Sequence, residues 1–242
     1  MKTLFDFLKK CADFILEIFF PSTCISCGDA IDEGEYLCGY CRNNIERINP
    51  EKRCLKCGYE KKDCECKYRV FYFENIISLY ENTGIAKKAY YRYKLNHKRH
   101  YADFFARAIS LAIASEYYGI EFDGICYVPS SKRSILKKGF DHSEELCRKV
   151  SQITGIKLSE DLLYCKSFIR SQHKSSFEDR IKNVAGKYGY RYNLRGKNIL
   201  LLDDIKTTGA TLNECAKQLL YAGADKVYCV TVLAQKKKDT KG

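Results

Sequence analysis

A chain of 242 residues can bury a sizeable core, and eight of its 14 cysteines fall between Cys24 and Cys66 while the rest are scattered singly. Paired CxxC knuckles beside isolated thiols exclude the disulfide framework of a small secreted domain and point to metal binding in a reducing cytosol. A formal net charge of +12 favours an anionic partner, whether polyphosphate, nucleic acid or acidic membrane surface; a soluble, lysine-rich protein is the plainer alternative.

Residues 1–22 predict an amphipathic helix. In "MKTLFDFLKKCADFILEIFFP" the apolar positions Leu4, Phe7, Leu8, Cys11, Phe14, Ile15, Ile18 and Phe19 recur at helical spacing until Pro21. Lys9, Lys10, Asp13 and Glu17 interrupt the apolar run, which is therefore neither an export signal nor a span. Such a stripe packs against its own protein, with a membrane or partner surface as the second option.

Residues 23–68 form a cysteine module, with pairs Cys24/Cys27, Cys38/Cys41 and Cys54/Cys57 followed by Cys64 and Cys66. A CxxC turn presents two thiolates to one tetrahedral ion, and two turns complete four ligands. Two structural zinc sites follow. Sequential pairing, Cys24/Cys27/Cys38/Cys41 and Cys54/Cys57/Cys64/Cys66, needs the shortest loops, and interleaved pairing stays open. Four thiolates per ion leave no open position for Lewis-acid chemistry. Gly28, Gly39 and Gly58 mark turns where unusual backbone angles are expected.

Residues 69–236 read as one α/β domain, and 237–242 as a basic tail. "NIISLYE" predicts a strand. The run "KKAYYRYKLNHKRHY" carries Lys87, Lys88, Arg92, Lys94, Lys98 and Arg99 among four tyrosines with no acid, a pattern suited to single-stranded nucleic acid, where cations track phosphates and aromatics stack bases. The competing reading is a solvated helix face with tyrosines turned inward. "ADFFARAISLAIASEYYG" predicts a helix with Phe104, Phe105, Ala108, Ile109, Ala112 and Ile113 in its stripe. Then come a strand in "DGICYVP", a helix in "SEELCRKVSQITG", a strand in "NILLLDD", a helix in "TLNECAKQLLYAGA" and a strand in "KVYCVTVLA". This alternation predicts a mostly parallel sheet covered by helices on both faces, with ligands bound beyond the carboxyl ends of the strands. Cys126, Cys147, Cys165, Cys215 and Cys229 read as small core residues, and His97, His100, His142 and His173 lack a paired nucleophile.

Three loops fall on that edge. In "ILLLDDIKTTGAT" a buried strand ends in Asp203 and Asp204, and Thr207, Thr208, Gly209, Ala210 and Thr211 lead into the next helix. N–H groups at a helix start, with a glycine for close approach and hydroxyls as added donors, cradle a phosphate. The carboxylates suit vicinal hydroxyls, or a divalent ion near a polyphosphate. Together they describe a sugar phosphate; an acidic strand end that merely caps a helix needs only one such side chain. "VPSSKRSILKKGF" brings Lys132, Arg133, Lys137 and Lys138 to the same edge, fit for a second anion. "SQHKSSFEDRIKNV" is polar and aperiodic, as a lid would be.

The stretch 199–211 resembles the phosphoribosyl pyrophosphate (PRPP) motif of type I phosphoribosyltransferases. The order of "FFPSTCISCG", the cysteine module, "VPSSKRSILKKGFDHSEEL", "SQHKSSFEDRIKNV" and this motif is similar to the ComF family over nearly the whole chain. The resemblance implies a type I phosphoribosyltransferase-like fold behind a double zinc ribbon, with Asp203 and Asp204 on the ribose hydroxyls and residues Thr207 to Thr211 on the 5-phosphate. It implies Ser130, Ser131, Lys132 and Arg133 on the pyrophosphate, with Asp203, Asp204, Lys132 and Arg133 as catalytic residues, and Gln172, Arg180 and Asn183 in the lid. It implies PRPP with magnesium beside the structural zinc, and a cytoplasmic role in natural transformation. Partners would be single-stranded DNA and uptake machinery, including a helicase-type partner at the inner face of the membrane. A salvage transferase for a base or amine and a non-catalytic PRPP sensor are the alternatives. Two positions depart from the family pattern: Lys206 stands where an apolar residue is usual, and Lys138-Gly139-Phe140-Asp141-His142 replaces "RGFNQ".

Overall fold

The computed structural model describes residues 22–64, 66–95, 101–131, 135–136, 139–166 and 184–236. The expected N-terminal helix, basic tail and lid residues Gln172, Arg180 and Asn183 lie outside these, as do Lys132, Arg133, Lys137, Lys138, Lys98, Arg99, His97, His100 and His173.

Four strands, β1 (Asn75–Glu81), β2 (Gly124–Tyr127), β5 (Asn198–Lys206) and β6 (Lys226–Ala234), form a sheet in the order β1-β6-β5-β2 with every pairing parallel. Two three-residue strands, β3 (Leu163–Cys165) and β4 (Tyr188–Tyr190), pair antiparallel beside it. Successive side chains of a strand point to opposite faces, so the long apolar runs feed two cores at once. Ile77, Ile125, Leu200, Leu202 and Val230 enter one core. Their neighbours Ile76, Cys126, Ile199, Leu201 and Cys229 enter the other.

The first core is covered by α2 (Gly84–Leu95), α3 (Tyr101–Glu116) and α4 (His142–Thr154). The second is covered by α5 (Ala210–Tyr221) and the β3/β4 pair. The α/β architecture read from the sequence, a parallel sheet flanked by helices behind a cysteine-rich segment, is the one found. That segment, with its short helix α1 (Gly39–Asn44), packs into both cores: Cys24, Ile25, Leu37 and Cys41 join the first, Cys57 and Tyr59 the second.

The structure decides between the two readings of one run and revises two expectations. The run from Lys87 is helical to Leu95, and Ala86, Ala89, Tyr90 and Tyr93 form its buried stripe. Tyr90, Tyr93 and Tyr101 are therefore core residues that cannot stack bases. The stripe of α3 is rotated: Ala102, Phe105, Ala106, Ile109 and Ile113 are buried, while Phe104, Ala108 and Ala112 are half-buried at its margin. Gly39 needs no special backbone, because it is the first residue of α1. Of the five cysteines read as core, four are buried and Cys165 is half-buried.

Candidate functional site

The cysteine sulfurs gather sequentially. Cys24, Cys27, Cys38 and Cys41 form one group and Cys54, Cys57, Cys64 and Cys66 another, the ligand atoms of each lying within 4.8 Å of one another. Tetrahedral zinc with bonds of about 2.3 Å requires sulfurs about 3.8 Å apart. The separations are 3.7 Å for Cys27–Cys38, 3.7 Å for Cys54–Cys66, 3.8 Å for Cys57–Cys64 and 3.5 Å for Cys54–Cys64. Four thiolates at that spacing fit a closed structural zinc site in each group.

Near the carboxyl end of the sheet, Asp203 and Asp204 lie within β5, which does not end in the acid pair as expected but runs two residues further, Ile205 and Lys206 still pairing with β6. Adjacent strand residues diverge, which moderates their repulsion. Asp204 pairs with Lys94 of α2 on the first-core side. The Asp203 carboxylate accepts the Asp204 backbone N–H at 2.8 Å. Burial, then the neighbouring Asp204 charge, push the Asp203 carboxyl well above its ordinary range, and Asp141 adds to the effect while Lys94 opposes it. A group so poised gains from donors brought by a ligand.

The loop 207–211 follows β5 directly, its last two residues forming the start of α5. Gly209 takes φ 73°, a left-handed conformation that favours glycine, and caps α5, whose first turn carries no acidic residue. Thr208 is buried and its Oγ1 accepts the Ala210 N–H at 3.2 Å, while Thr207 is exposed. A helix start with no acid of its own suits an anion.

The neighbouring strand β2 delivers a second loop to the same edge. Asp141, 6% exposed, caps α4 by accepting the Ser143 N–H at 3.0 Å, and its other oxygen accepts the Ser130 N–H at 2.8 Å. The departure from the family pattern at Asp141 thus ties the Ser130–Ser131 segment to α4. His142 is buried, with Nε2 3.0 Å from the Lys94 carbonyl, and acts in packing α2 on α4.

Of the residues expected at nucleic acid, Lys87 and Lys88 are exposed. Arg92 instead turns to the first cluster, donating to the carbonyls of Cys24 at 3.5 Å and Ser26 at 3.2 Å, and Lys94 turns to Asp204. Sequence reading missed Lys94, Tyr59 and Arg69 as neighbours of this edge. The unusual Lys206 signalled only Tyr59: its Nζ sits 3.4 Å from the Tyr59 ring centroid.

Comparison with known proteins gives the lineage. A double zinc ribbon domain model matches residues 15–69. DNA utilization protein YhgH of Salmonella typhimurium is 24% identical over 212 residues, covering 86% of this chain and 88% of that protein. Adenine phosphoribosyltransferase from Saccharomyces cerevisiae aligns in structure with a TM-score of 0.39 and 12% identity, over 58% of this chain and 72% of that one. Competence protein ComFC of Streptococcus pneumoniae is 30% identical over 205 residues, 79% of this chain and 84% of that protein; with this match, the chain belongs to the ComF family.

Proposed function

We propose that the chain is a PRPP-binding, phosphoribosyltransferase-like protein of the ComF type that handles internalised single-stranded DNA. The observation that carries the reading is the last part of β5, where two diverging carboxylates precede a glycine-capped helix start at the ligand edge of a parallel sheet. In this reading the zinc ribbons span 23–68 and the binding domain 69–236. Asp203 and Asp204 accept the ribose hydroxyls, Thr207, Thr208, Gly209, Ala210 and Thr211 hold the 5-phosphate, and Ser130, Ser131, Lys132 and Arg133 hold the pyrophosphate. Gln172, Arg180 and Asn183 close over the ligand.

If the site turns over, the bond from ribose C1 to the pyrophosphate oxygen breaks and a bond from C1 to the acceptor forms. Magnesium carried with PRPP supplies charge neutralisation for the departing pyrophosphate. The chain's own part is orientation: the acid pair fixes the ribose, and its negative charge favours oxocarbenium character at C1.

The DNA role draws on what the relatives are called, a DNA utilization protein and a competence protein, on the exposed Lys87 and Lys88, and on Lys98 and Arg99 later in the same sequence run. Calorimetric titration of Mg-PRPP tests the site. Wild type binds, and the Asp203→Ala/Asp204→Ala protein weakens binding by on the order of a hundredfold, because hydrogen bonds to charged acceptors are lost. Equal binding by both would overturn the assignment. Filter binding of single-stranded DNA across a salt series tests the other half, and no affinity at low salt ends that role.

A further inference from the structure

The second cysteine cluster reaches the loop 207–211 from behind. Tyr59, two residues after Cys57, donates its hydroxyl to the Thr207 carbonyl at 3.1 Å. Arg69, three residues after Cys66, donates to the Thr208 carbonyl at 2.9 Å. Lys206, 1% exposed, runs beneath the loop with its ammonium against the Tyr59 ring, and its Cε lies 3.7 Å from the place a Cβ on Gly209 would occupy. Gly58, at φ 71°, lets the knuckle close down: a Cβ there would meet Ile76 Cγ2 at 2.8 Å.

These contacts have a directional consequence. In a planar trans peptide the C=O and the following N–H point in opposite directions. Donors that hold the Thr207 and Thr208 carbonyls toward the ribbon therefore aim the N–H groups of Thr208 and Gly209 away from it. Lys206 adds a cation on the ribbon side of the loop, where the Tyr59 ring face stabilises it. The knuckle that carries Tyr59 is only a short turn between Cys57 and the helical turn Lys61–Asp63, so its geometry depends on the metal that its thiolates fit.

We propose that Tyr59 and Lys206 are positioning residues for the loop 207–211, and that the metal of the second cluster, through them, sets the order of this loop. The consequence for ligand binding rests on the reading of the loop as a phosphate site.

The test uses the full chain without ligand and reads amide hydrogen exchange across 207–211, with β6 as the fold control and zinc counted per chain. Cys57→Ser retains one zinc and speeds loop exchange by about tenfold, while Cys27→Ser also retains one zinc and leaves the loop as in wild type. Tyr59→Phe, which keeps the ring and both metals, speeds loop exchange by about threefold, since it removes one hydrogen bond. Unchanged loop exchange in Tyr59→Phe and Cys57→Ser overturns the proposal; should Cys57→Ser fail to fold, Tyr59→Phe decides alone. Lys206→Met then reads the charge: binding of inorganic phosphate by calorimetry falls by about tenfold with β6 protection intact. Loop exchange that responds in a protein whose wild type binds neither phosphate nor PRPP supports the positioning and rejects the phosphate reading instead.

Discussion

The two metal knuckles share a backbone and differ in what they hold. In the first, "CISCGD", Cys24 N–H donates to Asp29 at 2.8 Å and Gly28 N–H to Cys24 at 3.0 Å; in the second, "CLKCGY", Cys54 N–H donates to Tyr59 at 2.7 Å and Gly58 N–H to Cys54 at 2.8 Å. Each turn is closed by an isolated antiparallel bridge, Thr23 to Ala30 and Arg53 to Glu60. The divergence begins with the residue after the glycine. Asp29 stays local, its carboxylate 3.1 Å from the Cys27 sulfur, whereas Tyr59 crosses to the Thr207 carbonyl. Gly28 makes room for the Arg92 guanidinium of α2, and Gly58 for Ile76 and the stem of Lys206. One fold unit, used twice, thus braces the two halves of the candidate site. The first holds the helix that carries Lys94 to Asp204, and the second holds the loop that leads into α5.

The largest effect expected from this comparison is loss of the first metal. Cys41 is buried in the first core, so Cys41→Ser leaves a polar group among Ile25, Leu37 and Ile45 and removes an ion whose binding is coupled to folding. Thermal unfolding should fall by at least 10 °C, on the order of 5 kcal/mol, with zinc content halved. A loss under 1 kcal/mol would show that the ribbon is an appendage rather than a brace.

Lys94 comes next. The pair it forms with Asp204 is largely buried, with side-chain exposures of 18% and 21%. Lys94→Met leaves Asp204 next to Asp203 without a cation and should destabilise the fold by about 2 kcal/mol in urea, short of the full buried-pair value because solvent still reaches the site. Lys94→Met/Asp204→Asn should regain most of that loss; additive losses in the double-mutant cycle would separate Lys94 from the acid pair.

Asp203→Asn should act in the opposite direction, raising stability by about 1 kcal/mol at pH 8 while, on the proposed reading, weakening PRPP binding by less than the double alanine variant does, a trade of stability for function. The sign follows from burial. Because the folded protein holds the Asp203 proton well above the ordinary value of 3.8, ionisation costs stability that is absent below that value and accumulates as pH rises. The gain from asparagine should therefore vanish near pH 4.

How much of this was legible depended on the range over which a residue acts. The strands "NIISLYE" and "KVYCVTVLA" were found residue for residue, because buried parallel strands are written as unbroken apolar runs between turn residues. The acid pair and glycine-capped helix start lie within ten residues of one another, and so could be read locally. Tyr59 and Lys206 are far apart in sequence, as are Lys94 and Asp204, and no local pattern encodes such pairs. Helix α2 is an intermediate case. Ala86, Ala89, Tyr90 and Tyr93 carry helical period, but tyrosine also suits a nucleic-acid surface, and only the neighbouring Phe105 and His142 rings decide that these tyrosines face inward. The β3 and β4 strands are too short, at three residues each, to show any period.

The smallest effect tests whether the first ribbon holds α2 through its end as well as through its flank. Helix α2 draws its N-terminal cap from Glu46, just beyond the first cluster: its carboxylate accepts the N–H groups of Ile85 and Ala86 at 3.0 Å each. Burial works against the charged form, but these N–H bonds, with Lys88 nearby, prevail and hold the carboxyl below its ordinary range. A carboxyl lowered on folding contributes stability that is present above its unfolded value of 4.5 and is lost as pH falls through the folded one. Glu46→Ala should cost about 1 kcal/mol at pH 7, the usual magnitude for a removed helix cap, and Glu46→Gln rather less, since its amide oxygen can still accept one of the two bonds. The difference between wild type and Glu46→Ala should shrink as unfolding is measured at successively lower pH below 4.5. A difference that persists unchanged into acid would mean that Glu46 acts by packing. Among the described residues, the first ribbon's polar hold on α2 would then come from Arg92 and Ser26.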